Sequence, residues 1–447
     1  MLKEQSLPEL IKTNIKVITE AKQLDSDMQK LVIDGGRPLS GEIKVQGAKN
    51  AVLPVLAACT LCSREVRLSN CPCISDRYGA ARILTSLGGK VRADGTDMTV
   101  DCTGIDSSSI SCELMRTMRS SIIFMGALMG RTGKCTLCYP GGCDLGPRPI
   151  DMHLSAMKKM GAVITDEHGI IECSAPEGLT GCKISLSFPS VGATENILLA
   201  AVTAKGETVI SNCAREPEIT CLADFLIACG AHINGAGGSR ITVDGVERLS
   251  APRESFAIIP DRIAAATYLS CCACAGGELM LTDCCPAHME AILPLFEQMG
   301  MYVRSFGSNI YIQKTGGLKA ADTIRTMVYP GFPTDAQAII MAPLCTAEGT
   351  TVFVENIFEN RYRHTGALSR MGADIRAEGK VAVVTGVPAL YGAASEAPDL
   401  RGGAAIVCAA LGASGRSEIT RTELIDRGYD SIEAILSSAG AKISRII

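Results

Sequence analysis

The chain has 447 residues, with 43 Lys+Arg against 47 Asp+Glu, for a formal net charge of −4. A balance of that sign excludes a protein that holds nucleic acid or membranes through bulk positive charge. No apolar stretch reaches the ~18 residues of a membrane span, and at 47% hydrophobic residues two or three domains with sizeable cores are expected.

Residues 1–30 read as a polar, partly helical extension. They lack the basic start, apolar centre and small-residue cleavage site of a secretory signal, so a cytoplasmic protein with reduced thiols and no disulfide framework is expected. Beyond Lys30 two phrases alternate, six times each. The first ends a helix on glycine and restarts as an alternating strand. It occurs at Leu84–Val91, Met157–Val163, Leu226–Ile233, Phe296–Val303, Leu368–Ile375 and Ile435–Ile443. Its glycines, Gly88, Gly161, Gly230, Gly300, Gly372 and Gly440, recur at roughly 70 residues and suit left-handed helix caps. The second phrase is an Ala/Leu-rich helix, a glycine-containing turn and a β-branched strand. It runs over Ala51–Leu68, Ser121–Leu137, Glu195–Ile210, Ile263–Leu281, Ala336–Val354 and Gly403–Ile419. Helices apolar on every face predict an α/β fold with helices buried and sheets outside. Six units make two bodies of three, with a junction near Pro252–Pro260.

The 21 cysteines include the C-x-x-C pairs Cys59/Cys62 and Cys135/Cys138, the neighbours Cys71 and Cys73, and the run Cys271, Cys272, Cys274. Such spacings can hold zinc or an iron–sulfur cluster. No second matched pair or histidine spacing follows either C-x-x-C, and Cys59, Cys271 and Cys408 lie in Ala-rich helical runs. The favoured reading is therefore Cys as a small buried apolar residue, with no metal expected.

Chemistry is sought where the repeat breaks. Pro140-Gly-Gly-Cys-Asp-Leu-Gly-Pro-Arg-Pro149 is too rich in Gly and Pro for a helix or strand. Its Cys143, near Arg148 and backbone amides, is a candidate acid or nucleophile, the alternative being an ordinary turn. Cations stand at helix starts. Lys49 and Asn50 open a helix expected over 51–62, Arg119 precedes one over 121–130, Arg401 one over 403–412, and Arg427 the last. Singly each reads as a surface charge; together they predict a ligand with several anionic oxygens between the two bodies. Asp335 and Asp261 sit at helix mouths, as caps or as chemistry. No Walker loop or dinucleotide fingerprint is present, so neither ATP nor NAD is indicated and no cofactor is expected.

Seven motifs then fall into a known order. Gly47-Ala-Lys-Asn-Ala-Val-Leu-Pro54, the stretch 140–149, Ser190-Val-Gly-Ala-Thr194, Arg215-Glu-Pro-Glu-Ile219, Phe332-Pro-Thr-Asp335, Glu359-Asn-Arg361 and Asp426-Arg-Gly-Tyr429 together resemble the UDP-N-acetylglucosamine enolpyruvyl transferases of the EPSP synthase superfamily. The likeness covers about residues 31–447. It implies a two-domain inside-out α/β barrel, each domain three β-α-β-α-β-β repeats. One domain would comprise residues 31–48 plus 260–447, the other 49–259. It implies transfer of the enolpyruvyl group of phosphoenolpyruvate to the 3′-hydroxyl of the sugar nucleotide with release of phosphate, early in peptidoglycan synthesis. The catalytic residues would be Cys143 (acid), Asp335 (base) and Lys49. Phosphoenolpyruvate would be held by Lys49, Asn50, Arg148, Arg361, Arg401 and Arg427. UDP-N-acetylglucosamine would be held by Asn50, Arg119, Arg148, Pro149, Ile150, Asp151, Met152, Ser190, Val191, Gly192, Asp335 and Ile357. Fosfomycin would alkylate Cys143. Both partners are small molecules, and a monomer is the expectation. Three positions depart from the family pattern: Phe188 and Ser75, where some members carry lysine, and Tyr329, where histidine is usual. The sister enzyme that makes 5-enolpyruvylshikimate 3-phosphate, a non-catalytic nucleotide-binding paralogue, and a metal-binding redox protein are the rival readings.

Overall fold

The computed structural model describes residues 29–141 and 150–446. Cys143, Arg148, Pro149 and nearly all of the N-terminal extension lie outside the described residues. Six helices form the interior: Lys49–Ala58, Phe124–Thr132, Val191–Ala201, Arg262–Ala275, Thr334–Leu344 and Leu400–Gly412. They are apolar on nearly every face and buried on nearly every face. Two separate cores result, one built from Ala48 to Ile258, the other from Leu31–Val45 together with Ile263–Ile443.

Six sheets surround these helices among the described residues. In five of them an edge strand runs parallel to its neighbour and the remaining pairs are antiparallel. In the sixth, Lys134–Cys138, Ile170–Ser174 and Val163–Glu167 are antiparallel, and the parallel edge shrinks to a single bridge between Ser109 and Thr136. Strand Lys30–Asp34 lies between Arg416–Thr420 and Lys442–Ile446, filling the place that a hairpin strand takes in the other sheets. Strand Leu39–Lys44 forms the parallel edge beside Gly277–Thr282. This is the inside-out α/β fold, with sheets outside and helices within.

The glycine phrase works as its pattern predicts. All six glycines have φ between 86° and 103°, the left-handed region in which a Cβ is strained. In five copies the next amide reaches back to close a Schellman turn, for example Gly89 N to Leu84 O at 2.9 Å and Ala231 N to Leu226 O at 2.9 Å. Helix starts are capped from the side: Asp261 accepts from Ile263 and Ala264, Asp399 from Arg401 and Gly402, and Ser190 from Ala193.

Interior helices of this kind approach closely only through small residues. A Cβ on Gly126 would stand 2.2 Å from the backbone oxygen of Asn196. Alanine is the better helix former by about 1 kcal/mol, yet here it must push two helix backbones apart, at a cost of about 1–3 kcal/mol. Gly126→Ala is therefore expected to lower the urea midpoint of unfolding; a raised midpoint would contradict this packing.

The two cores are joined by a two-stranded ribbon. Ala48 donates to Ile259 at 2.7 Å and Asp261 to Gln46 at 2.9 Å, with Gly47 opposite Pro260.

The cysteines mostly follow the apolar reading. No group of three or more potential metal ligands occurs among the described residues. In each C-x-x-C one cysteine meets a cysteine outside the motif: Cys62 lies 3.6 Å from Cys229, and Cys135 sits opposite Cys173 on the neighbouring strand. Residues i and i+3 of a strand face opposite sides, which is why Cys135 and Cys138 find different partners. The described cysteines form no disulfide framework, but one pair is joined, Cys112 with Cys138. Backbone bonds from Ile110 to Thr136 and from Gly141 to Met115 already hold the two segments side by side. The Cα atoms are 5.1 Å apart, within disulfide range.

Candidate active site

The helix Lys49–Ala58 has alanine at its N-cap, with no side chain to satisfy the first amides. Asp261 does so from the other strand of the ribbon, its Oδ2 accepting from the Lys49 amide at 3.1 Å. The Lys49 side chain is thereby aimed, almost fully buried, at Asp76, with Nζ to Oδ2 at 2.8 Å. Asp76 lies in the first turn of helix Ser75–Ser86. Arg427 comes from the other core and grips the same carboxylate in a fork, Nε to Oδ1 at 2.9 Å and Nη2 to Oδ2 at 3.2 Å.

A second carboxylate faces this group. Asp335 is in the first turn of Thr334–Leu344, and its oxygens meet Arg361 Nη2 at 2.8 Å and Arg401 Nη2 at 3.2 Å. The guanidinium groups are 2% and 3% exposed while the Asp335 side chain is 30% exposed, so the carboxylate is the accessible member. Arg361 is held further by the Thr334 carbonyl, and Arg401 by the Tyr429 hydroxyl at 3.1 Å. Four cations and two carboxylates therefore converge from both cores.

Their charges act on one another. Burial would raise the Asp335 carboxyl, but Arg401, Arg361, Lys49 and Arg262 outweigh it and hold the group ionised well below the ordinary range. For Lys49 burial is the largest influence and pulls its pKa down. Asp76 opposes this, Arg427 and Arg401 reinforce it, and the net effect is a lysine easier to deprotonate than usual. Tyr429 is pushed up to about 12, chiefly by burial, so it is a neutral hydroxyl.

Another group gathers on the core of residues 48–258. Ser190 caps Val191–Ala201, with Val191 and Gly192 in the half-buried first turn. Gly192 faces His153, whose Cε1 would be 3.2 Å from an added Cβ. His153 Nδ1 meets Asn196 Nδ2 at 2.6 Å, and Asn196 also bonds Ile122 O and Gly126 N. Burial first, then Arg119, lowers His153 to about 4. The ring is thus neutral, with Nδ1 accepting and Nε2 left as the donor. Ile150 is buried before helix Asp151–Lys159, and Met152 packs on the core. Asn50 is half-buried next to Lys49, and Ile357, also half-buried, bonds through its amide to Glu355.

The structure thus brings Lys49, Arg361, Arg401, Arg427 and Asp335 together, and Arg119 with Ser190–Gly192 around His153. It also shows Arg401 inside its helix rather than ahead of it, because the helix begins at Leu400. Asp261 and Asp335 part ways: Asp261 is a cap, while Pro333 takes the cap position before Thr334 and leaves the Asp335 side chain to the arginines. Asp76, Tyr429 and His153 were not assigned from sequence. A search for cations alone passes over the buried anion that each needs, and His153 follows helix-opening residues without any spacing of its own. Tyr329, in place of the family's histidine, lies under Arg262 at 5.5 Å from the ring centroid, and Arg262 pairs with buried Glu218 at 3.1 Å.

The chain matches the family model of EPSP synthase (3-phosphoshikimate 1-carboxyvinyltransferase) over residues 33–436. It is 46% identical over 420 residues to UDP-N-acetylglucosamine 1-carboxyvinyltransferase 2 of Caldanaerobacter subterraneus subsp. tengcongensis, covering 94% of this chain and 100% of that protein. To UDP-N-acetylglucosamine 1-carboxyvinyltransferase 1 of Symbiobacterium thermophilum it is 45% identical, covering 94% and 95%. Among solved structures, the enolpyruvyl transferase NikO from Streptomyces tendae superposes with a TM-score of 0.84 at 25% identity, over 93% of this chain and 98% of that one. An EPSP synthase from Acinetobacter baumannii, at 18% identity and a TM-score of 0.72 over 94% and 100%, shares the fold. The chain belongs to the EPSP synthase family and, within it, to the UDP-N-acetylglucosamine 1-carboxyvinyltransferases.

Proposed function

We propose that this protein transfers the enolpyruvyl group of phosphoenolpyruvate to the 3′-hydroxyl of UDP-N-acetylglucosamine, releasing phosphate and committing the sugar nucleotide to peptidoglycan synthesis. The observation that carries the reading is the accessible Asp335 carboxylate backed by Arg361 and Arg401, with Lys49 and Arg427 arriving at the same cleft. Such a cleft suits a small donor that carries both a carboxylate and a phosphate, since guanidinium forks match both groups. The names of the relatives supply the acceptor.

The reaction is addition followed by elimination. A proton is added to C3 of the donor while the sugar 3′-oxygen bonds to C2. The C3 proton then leaves, the double bond re-forms, and the C2–O bond to phosphate breaks. Cys143 supplies the proton, Asp335 receives the one from the hydroxyl, and Lys49, Asn50, Arg148, Arg361, Arg401 and Arg427 hold the donor's anionic oxygens. Arg119, Arg148, Pro149, Ile150, Asp151, Met152, Ser190, Val191, Gly192 and Ile357 hold the sugar nucleotide. A carboxylate gripped by two guanidinium groups is a weak base. The donor's own oxygens therefore act on the base as well. By taking over part of Arg401 and Arg361 they raise the basicity of Asp335 as the complex forms.

Residues 31–48 with 260–447 form one domain and 49–259 the other, a division supported by the two cores. A cytoplasmic location is part of the same reading; no helix among the described residues is long and apolar enough to cross a membrane. Phosphate release on mixing the protein with phosphoenolpyruvate and each acceptor tests the assignment. Turnover is expected with UDP-N-acetylglucosamine and none with shikimate 3-phosphate; the reverse pattern would replace this reading with that of the sister enzyme.

A further inference from the structure

Asp76 is 4% exposed, and both its oxygens are occupied by cations that the reading above gives to the donor. Lys49 opens a helix of one core. Arg427 belongs to the other and is 351 residues from Asp76 in sequence. The pairing sits in a seam between the cores. Ser75 donates to the Asp426 carbonyl at 2.9 Å, and the Cys73 amide approaches Asp430 Oδ2 at 3.4 Å. The Gln46 side chain donates to Gly428 O at 3.0 Å and accepts from Asp430 N at 3.0 Å. Asp426 is gripped from behind by Arg445 at 2.7 and 2.9 Å. Segment 426–430 is thus docked against residues 73–76 and Gln46, and Arg427 is delivered to Asp76 by that docking.

We propose that Asp76 is a positioning residue for the enolpyruvyl transfer, one buried carboxylate that sets the places of Lys49 and Arg427 and ties them to the docking of the two cores. The proposal rests on the assignment of phosphoenolpyruvate as donor. Burial would raise the Asp76 carboxyl, but Lys49 and Arg427 outweigh it, so Asp76 stays ionised in a place where a lone buried charge would not. By engaging the Lys49 ammonium and the Arg427 fork together, it fixes the direction from which both cations reach the cleft. A surface ion pair would do little of this; a buried one held by fork and ammonium together does.

Charge is the second part of the role. The groups facing Lys49 are Asp76 on helix Ser75–Ser86, Arg427 on the docked segment, Arg401 and Asp335 on the central helices, and Asp261 through the Lys49 amide. Burial, Arg427 and Arg401 all favour losing the Lys49 proton, and Asp76 is the carboxylate in direct contact that favours keeping it. Without Asp76 the lysine would deprotonate at lower pH, and the cleft would lose a cation.

The test is the pH profile of kcat/KM for phosphoenolpyruvate in wild type, Asp76→Asn and Asp76→Glu, since kcat/KM reports the free enzyme. A cationic Lys49 and a protonated Cys143 are both needed, so turnover falls as pH rises through either pKa, and the NMR titration of Lys49 assigns the lysine's share of the limb. In Asp76→Asn this alkaline limb is expected to move toward acid by about one pH unit, the effect of losing an opposite charge in contact. The plateau should fall by about 10- to 100-fold, while the calorimetric affinity for UDP-N-acetylglucosamine stays within about twofold. Asp76→Glu keeps the charge: its limb should remain at the wild-type pH with a lowered plateau. An unmoved Lys49 titration in Asp76→Asn, or an unchanged plateau in either variant, overturns the proposal. Should Asp76→Asn not fold, the Asp76→Glu plateau decides. Titration of reductively ¹³C-methylated Lys49 by NMR needs no turnover. If wild type transfers to neither acceptor yet Lys49 titrates lower in Asp76→Asn, the donor assignment falls while the electrostatic coupling stands. If Lys49 does not shift, the positioning role falls.

Discussion

Asp335→Asn should leave a folded protein that binds UDP-N-acetylglucosamine but turns over about 10²- to 10⁴-fold more slowly, the usual worth of a positioned general base. The amide oxygen can still accept from one guanidinium group, so Arg361 and Arg401 keep part of their packing; what is lost is the charge and the ability to take a proton. Asp335→Ala should be worse in a second respect. It leaves two buried guanidinium groups facing each other without their shared anion, so its thermal midpoint should drop as well. The two variants together separate chemistry from scaffold: kcat falls in both, stability mainly in the second. Stability also carries a pH signature. The folded-state pKa of Asp335 is depressed, so its contribution is present above the ordinary carboxylate range and is lost as pH falls below it. The stability difference between wild type and Asp335→Asn should therefore shrink toward acid. An Asp335→Asn protein with wild-type kcat would remove this residue from the mechanism.

Fosfomycin should inactivate the protein by adding its full mass at a single position, Cys143. The epoxide is opened by a thiolate: an S–C bond forms, a C–O bond breaks, and the oxygen takes up a proton. The selectivity is the informative part, because the chain carries 21 cysteines. Most described ones are buried, and burial pushes thiols such as Cys71, Cys102, Cys221, Cys272 and Cys345 up to about 12, far from the thiolate form at neutral pH. Cys143→Ala should take up no fosfomycin, and should lower kcat by about 10²- to 10⁴-fold if the thiol is the acid that protonates C3. Peptide mass spectrometry after exposure checks both points. An adduct elsewhere, with Cys143 intact and activity lost, would move the reactive thiol to another place.

The parts of this molecule that repeat were legible in its sequence, because each copy repeats a local physical need. Gly88 and its five counterparts are glycine for one backbone angle, and the interior helices are apolar all round because no face meets water. The cations Lys49, Arg401 and Arg427, which the structure brings together, were legible as a set, though none was decisive alone. What escaped was whatever depends on a partner distant in the chain. Nothing around Asp76 announces that Arg427 will reach it, nor does Cys112 announce Cys138. Asp261 and Asp335 look alike in sequence, each following a proline near a helix start. Only the position of that start, set by Pro333 in one case, decides which becomes a cap and which remains available to a substrate.

Strand Lys30–Asp34 has an implication for how the molecule is made. Its neighbours on either side lie near the far end of the chain, and Asp34 pairs with Arg416 across 382 residues. At a synthesis rate of about 5–20 residues per second, that strand waits roughly 20–80 s on the ribosome before its partners exist. The core of residues 48–258 is continuous in sequence and has no such delay. It can finish first, holding an unpaired, aggregation-prone leading segment beside it. Chaperone demand during biosynthesis should accordingly centre on residues 30–34, whose pairing is the last event of assembly, since Leu39–Lys44 meets Gly277–Thr282 earlier.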